Sequence, residues 1–119
     1  MQKRVLALGR MKAGIMNKTE QAFNDYLQRI LDRHEIFAFA FEPVTFKLAK
    51  DCRYTPDFLV HELNGHITFY EVKGFWTDDA KVKVKVASEK FPMFRFVVVK
   101  KRTKADAIKH GSPWEMLEF

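Results

Sequence analysis

The chain has 119 residues, which fits one domain, and 47% are hydrophobic, which is enough to form a packed core and excludes an intrinsically disordered chain. Its single cysteine, Cys52, excludes an intramolecular disulfide, and no Cys and His residues have the spacing of a structural zinc site, so we expect a reducing, cytoplasmic setting. The formal net charge of +6 indicates a polyanionic partner, because Lys and Arg that neutralise phosphates release counterions.

The N-terminal residues 1–16 lack clear periodicity and are predicted to form a basic arm that precedes a single domain over residues 17–119. Gly9 and Gly14 are its predicted flexible points. The apolar run in this arm covers only four or five residues, which is too short for export or for spanning a bilayer. We therefore expect no membrane association.

A first helix is predicted from Asn17, a good N-cap residue, to Arg33 or His34. Its apolar residues recur at helical spacing: Ala22, Phe23, Tyr26, Leu27, Ile30 and Leu31. Glu20, three residues after the cap, has two interpretations. It is either the acidic partner of a capping box, or an acid at the edge of the buried stripe that points toward whatever the helix covers.

The next segment is predicted to be extended. Residues 36–41 alternate Phe with Ala as a strand does, Pro43 interrupts them, and residues 44–48 resume, which gives two strands or one bent strand. A turn over residues 50–53 then leads to Tyr54-Thr55-Pro56. Residues 58–62 and 67–72 are predicted to form a hairpin around Asn64-Gly65.

A second helix is predicted to begin at Thr77-Asp78-Asp79, where the helix dipole favours acids. Residues 81–86 alternate Lys and Val like a strand, but a longer stripe at helical spacing favours the helix. That stripe consists of Ala80, Val84, Ala87 and Phe91. Pro92 ends the helix, and residues 94–100 are predicted to form a buried strand.

Acidic side chains that could bind a metal flank the predicted hairpin. Asp57 follows Pro56 just before its first strand, and Glu71 lies near the end of its second. Phosphodiester hydrolysis needs a hydroxide near neutral pH and stabilisation of charge on the phosphoryl oxygens, which divalent ions held by carboxylates supply. Magnesium needs few protein carboxylates, since it keeps several waters. Asp57 and Glu71 are the predicted ligands, with the Val72 carbonyl as a further oxygen.

Lys73 lies two residues after Glu71, so both side chains leave the same face of a strand. An ammonium there can hold or help to deprotonate the attacking water and offset charge at the phosphate. The alternative is an ion pair with Glu71 on an exposed strand, an arrangement that contributes little. The preceding Pro-Asp and the apolar neighbours Phe69 and Val72 favour a catalytic site.

The hairpin register decides whether these acids can meet. A two-residue Asn64-Gly65 loop pairs Asp57 with Val72 and puts Asp57 and Glu71 on opposite faces of the sheet. A three-residue loop that includes Leu63, with Gly65 left-handed in a bulge, places Asp57 opposite Glu71. We predict the three-residue loop, or a break in strand pairing at Asp57.

Together these motifs resemble the PD-(D/E)xK nuclease superfamily, and most closely its small phage proteins, a domain of unknown function related to the phage junction-resolving endonuclease I. The resemblance rests on residues 11–14, 17–20, 54–58, 71–80 and 114–115. It implies a restriction-endonuclease-like αβββαβ core with a mixed central sheet, and two Mg²⁺ or Mn²⁺ ions. It also implies catalytic roles for Asp57, Glu71 and Lys73, with Glu20 as a helix-borne acid for the second ion.

The expected activity is that of a metal-dependent endodeoxyribonuclease. The resemblance implies a homodimer that acts on branched DNA, like a Holliday junction resolvase, in phage recombination or replication in the host cytoplasm. Alternatives are a nuclease on linear or single-stranded DNA in repair, transposition or restriction, and a basic DNA-binding module that does not cut. The residues expected to contact DNA are Lys12, Lys18, Lys81, Lys85 and Trp76, although Trp76 also suits the core.

Overall fold

The computed structural model of the protein describes residues 14–74 and 77–119. Most of the predicted N-terminal arm, with Lys12, lies outside these residues, and so does Trp76. The elements in chain order are α1 (Lys18–Asp32), β1 (Ile36–Phe41), β2 (Phe46–Ala49), β3 (Cys52–Tyr54), β4 (Phe58–Glu62), β5 (Ile67–Lys73), α2 (Asp78–Lys90), β6 (Arg95–Lys101), α3 (Lys104–His110) and β7 (Trp114–Glu118).

A mixed five-stranded sheet forms the centre of this α/β fold, in the order β1-β4-β5-β6-β7. β5 and β6 run parallel, and α2 provides the crossover that a parallel pair requires. The other neighbouring pairs are antiparallel. Leaving aside the small β2–β3 hairpin, the order from α1 to β6 is the predicted αβββαβ core.

Both faces of the central sheet are covered, which explains its apolar middle strands. On one face, α1 packs through Phe23, Leu27 and Ile30. On the other face, α2 packs through Val84 and Ala87 beside the separate β2–β3 sheet. Of the helices within the described residues, none combines the length and apolarity that a membrane crossing requires.

The predicted second helix is confirmed over Asp78–Lys90 despite its strand-like Lys-Val alternation. Thr77 caps it, because the Thr77 hydroxyl accepts the Ala80 N–H at 3.3 Å. Val84 and Ala87 are buried, whereas Val82 is 58% exposed. Burial therefore follows the helical stripe, and the alternating valines do not share a face.

The β4–β5 hairpin has the predicted three-residue loop. Glu62 pairs with His66, since the Glu62 N–H donates to the His66 carbonyl at 2.9 Å. Gly65 adopts a left-handed φ of 90° and donates its N–H to the Glu62 carbonyl at 2.9 Å. Phe58 consequently lies opposite Tyr70, which confirms the register that places Asp57 across from Glu71.

Three elements differ from the prediction. The turn is limited to Lys50 and Asp51, because Cys52 and Arg53 already belong to β3, which pairs with β2. α3 and β7 were not expected from the sequence. α3 has no buried residue and β7 buries only Trp114, so neither carries the apolar periodicity that identifies a helix or strand from sequence.

Candidate active site

Asp57 lies in the bend between Pro56 and β4 and is only 6% exposed. Its Oδ2 accepts the Val72 N–H at 2.7 Å, and its own carbonyl accepts the Glu42 N–H at 2.8 Å. The regular β4–β5 ladder ends one pair earlier, at Phe58 and Tyr70. Beyond the last β4–β5 pair, the Asp57 carboxylate therefore replaces a backbone carbonyl as the acceptor of a β5 N–H. This hydrogen bond holds the carboxylate against β5.

Glu71 and Lys73 leave β5 on the face that packs toward α2, since Glu71 lies beside Val98 of that core. Glu71 is 7% exposed. Lys73 Nζ lies 3.0 Å from Glu71 Oε2, so the two side chains form the ion pair that was considered as the alternative to a catalytic role. The Glu71 carboxylate is buried, which distinguishes this pair from the exposed pair considered as the alternative.

Tyr54 also belongs to this site, although no role was predicted for it from the sequence. Its hydroxyl donates to Glu71 Oε1 at 2.8 Å, within the interior. Burial first, and then the Glu71 charge, raise the pKa of Tyr54, which keeps the hydroxyl protonated as a donor. The sequence could have indicated Tyr54 only by its position on the inner face of a strand, three residues before Asp57. With three residues, β3 is too short to show the alternation of buried and exposed side chains that identifies an inner face.

The electrostatics of the site are dominated by crowded negative charge. Burial raises the pKa of Asp57 well above its usual range, and the charges of Glu71 and Glu20 raise it further. The hydrogen bond from Val72 N–H and the charge of Lys73 act in the opposite direction, but less strongly. Additional positive charge would therefore stabilise the ionised acids.

Glu20 forms the capping box of α1. Its Oε1 accepts the Asn17 N–H at 2.9 Å, and the Asn17 Oδ1 accepts the Glu20 N–H at 2.8 Å. The first interpretation of Glu20 is thus confirmed. The charge of the same carboxylate raises the pKa of Asp57, so Glu20 lies within electrostatic reach of the acidic site. Its role as a metal ligand stays a prediction.

The donor set fits a hard cation held by few protein ligands. No three His, Cys, Asp or Glu side chains in residues 14–74 and 77–119 are grouped closely enough to hold a metal ion. Asp57 and Glu71 supply two buried carboxylates, and Mg²⁺ needs one or two, with water in its other positions. The Val72 carbonyl points to the same side of β5 as the Val72 N–H, which Asp57 binds.

The predicted DNA contacts are only partly described. Lys18 is exposed at the start of α1, next to the capping box. Lys81 and Lys85 are exposed on α2, one helical turn apart. α2 begins shortly after β5, so the first of these lysines lies near the end of the sheet that carries Glu71. Lys12 and Trp76 lie outside the described residues.

A family model described as "Protein of unknown function (DUF1064)" matches residues 14–107. This chain belongs to the DUF1064 family. The DUF1064 match includes Glu20, Tyr54, Asp57, Glu71 and Lys73, and it runs from the segment before α1 into α3. No curated protein and no solved structure matches the chain.

Proposed function

We propose that this DUF1064 protein is a metal-dependent endodeoxyribonuclease that hydrolyses phosphodiester bonds in DNA. One observation carries the proposal: Asp57 and Glu71 are buried side by side at the end of the hairpin, and Lys73 is paired with Glu71. The pKa of Asp57 is raised, and an acid in that state that converges with a second buried acid and a lysine is typical of a catalytic site. The resemblance to PD-(D/E)xK nucleases supports the same chemistry, with DNA as the substrate.

Asp57, Glu71 and the Val72 carbonyl would hold the ion, and Glu20 would hold a second one. A bound Mg²⁺ or Mn²⁺ ion would supply Lewis-acid stabilisation of the phosphoryl oxygens and lower the pKa of a water molecule. The protein contributes the fixed positions of the acids. Asp57 is anchored to the backbone of β5 and Glu71 to Tyr54, so neither carboxylate has to be ordered when the substrate binds.

Lys73 is the proposed cationic partner of the reaction. Its ammonium lies 3.0 Å from Glu71 Oε2 and is about one third exposed, so it can reach a substrate beside the acids. There it would hold the attacking water and offset the charge of the phosphate. The attacking water loses a proton to solvent as its oxygen bonds to phosphorus, the bond from phosphorus to the leaving oxygen breaks, and that oxygen takes a proton from solvent.

A substrate and metal panel tests this function. The parent and an Asp57→Asn variant are incubated with a four-way junction, a flap, a linear duplex and a single strand, in Mg²⁺, Mn²⁺ or Ca²⁺. We expect Mg²⁺ or Mn²⁺ to support cutting by the parent only, with the junction preferred. Preference for another substrate would support the alternative pathways of repair, transposition or restriction.

Two results of this panel would contradict the proposal. If the parent binds but cuts nothing, the protein is a DNA-binding module. Cutting that survives Asp57→Asn would place the active site elsewhere. An Asp79→Asn variant serves as the control, because Asp79 is an exposed acid in the first turn of α2. A sizing column tests the homodimer that the resemblance implies.

A further inference from the structure

The two-stranded β2–β3 sheet has one buried face and one charged face. Phe46, Leu48 and Tyr54 point inward and are 6–7% exposed. On the outer face Lys47 and Arg53 lie directly opposite each other in the strand register, and both are exposed. We call Lys47 and Arg53 the hairpin cation pair.

The hairpin cation pair places like charges where a strand pair usually avoids them. Side chains directly opposite each other have Cβ atoms about 4.5–5.5 Å apart, and like charges at such positions are destabilising. Neither side chain forms an ion pair with any residue in the described ranges. An anion bound between them would relieve the repulsion, and guanidinium and ammonium groups are common phosphate ligands.

The position of this pair connects it to the acidic site. Arg53 precedes Tyr54 on β3, so its side chain leaves the face opposite to that of Tyr54, whose hydroxyl holds Glu71. Next along the same outer face, toward Asp57, come Thr45 and Thr55, whose hydroxyl groups are 2.7 Å apart. A polar row therefore extends from the hairpin cation pair to the segment that carries Asp57, and hydroxyl groups also contact phosphates in protein–DNA complexes.

We propose that the hairpin cation pair binds backbone phosphates of the DNA substrate. This inference rests on the proposed function, because it assigns a surface to the same substrate. The partner is the phosphodiester backbone and not the bases, since two long cations on an open sheet face provide charge without the fixed pairing geometry of base recognition.

The salt dependence of DNA binding tests this assignment. Anisotropy of a fluorescein-labelled duplex is measured in EDTA over a series of KCl concentrations, for the parent and a Lys47→Gln/Arg53→Gln variant. Each lost phosphate contact lowers the slope of log K against log[salt] by about 0.9, so we expect a decrease of about 1.8. A slope equal to that of the parent, or a parent that does not bind the duplex, would overturn the proposal.

An Arg29→Gln/Arg33→Gln variant is the matched control. It removes the same charge from the last turn and C-cap of α1, about 14 Å (Arg29) and about 20 Å (Arg33) along the helix from Glu20 at 1.5 Å per residue. The control should keep the slope of the parent. An equal decrease in the control would show that binding follows net charge alone, and this would overturn the assignment to the hairpin.

Folding and cleavage are separated from binding by two further measurements. Removing a like-charge pair should leave the melting temperature unchanged or higher, and a Lys47→Glu variant, which offers Arg53 an opposite charge, should melt higher while binding DNA more weakly. Binding is measured without metal, so a slope decrease in a protein that never cuts supports the cation pair and refutes the nuclease. If the protein cuts DNA but the slope is unchanged in the variant, the nuclease is supported and the role of the cation pair is refuted.

Discussion

Replacing Asp57 with Asn should stabilise the metal-free protein. Asp57 is 6% exposed, and burial and the charges of Glu71 and Glu20 raise its pKa. Asn keeps the shape and can still accept the Val72 N–H, but it carries no charge. The variant should therefore be more stable at neutral pH, as is common where a site is built for function.

The expected gain follows from two opposing effects. The pKa of Asp57 is raised well above its usual range, so ionising this carboxyl in the folded protein is unfavourable, and Asn removes that cost. Against this, the 2.7 Å bond from Val72 N–H becomes a neutral hydrogen bond, which costs about 1 kcal/mol. We expect the first effect to exceed the second. Stabilising substitutions commonly gain about 0.5–2 kcal/mol, which corresponds to a rise of about 2–8 °C in melting temperature.

The assay is thermal unfolding in EDTA and in Mg²⁺ or Mn²⁺. Metal at 100 times its Kd should stabilise the parent by about 2.7 kcal/mol. Asp57→Asn should gain much less, so the order of the two melting temperatures should reverse when metal is added. Asp79→Asn, which loses a helix-dipole contact, should fall by about 0.3–1 kcal/mol and keep its response to metal.

The change of folding stability with pH tests the same prediction, because its direction follows from the raised pKa of Asp57. Because the folded-state pKa of Asp57 is raised, its ionisation weakens the fold, and the parent should gain stability as pH falls through that raised pKa toward 3.8. The stability of Asp57→Asn should change less with pH over the same range. A variant that is less stable than the parent in EDTA, and that responds equally to metal, would refute this account of the site.

Three further changes test separate features. Tyr54→Phe should keep the fold but slow cleavage about tenfold, because the 2.8 Å bond to Glu71 is lost; an unchanged kcat would exclude a positioning role. Gly65→Ala should cost about 1–2 kcal/mol in urea unfolding, because φ is 90°, whereas Gly65→Asn should cost less. Arg95→Ala breaks contacts of 2.9 and 3.0 Å with Glu118 and should cost about 1 kcal/mol, less in high salt; equal losses at all salt concentrations would contradict the ionic account.

Local signals account for what could be predicted. Asn17 and Glu20 mark the start of α1, and both partners of that capping box lie within one turn. Asn64 and Gly65 mark the hairpin, and the requirement that Asp57 and Glu71 share a face selected the correct register. These predictions needed only neighbours in sequence and the alternation of strands.

Contacts between distant segments account for what could not be predicted. Tyr54 bonds to Glu71, which lies 17 positions away in sequence, and the residues around Tyr54 do not indicate this partner. β7 depends on pairing with β6 and on Arg95, which bonds to Glu118. The exposed side chains of β7 follow no apolar pattern, since its strand character comes from the neighbouring backbone.

The rate of Mg²⁺-dependent cleavage by a Glu71→Gln variant shows whether the buried carboxylates form the active site. A labelled four-way junction is incubated with the parent, with Glu71→Gln and with the control Glu89→Gln, whose acid is exposed on α2. We predict that the parent and the control cut at equal rates and that Glu71→Gln, still folded by circular dichroism, cuts at least about 100-fold more slowly. Equal rates for all three proteins would contradict the claim that these buried carboxylates form the active site.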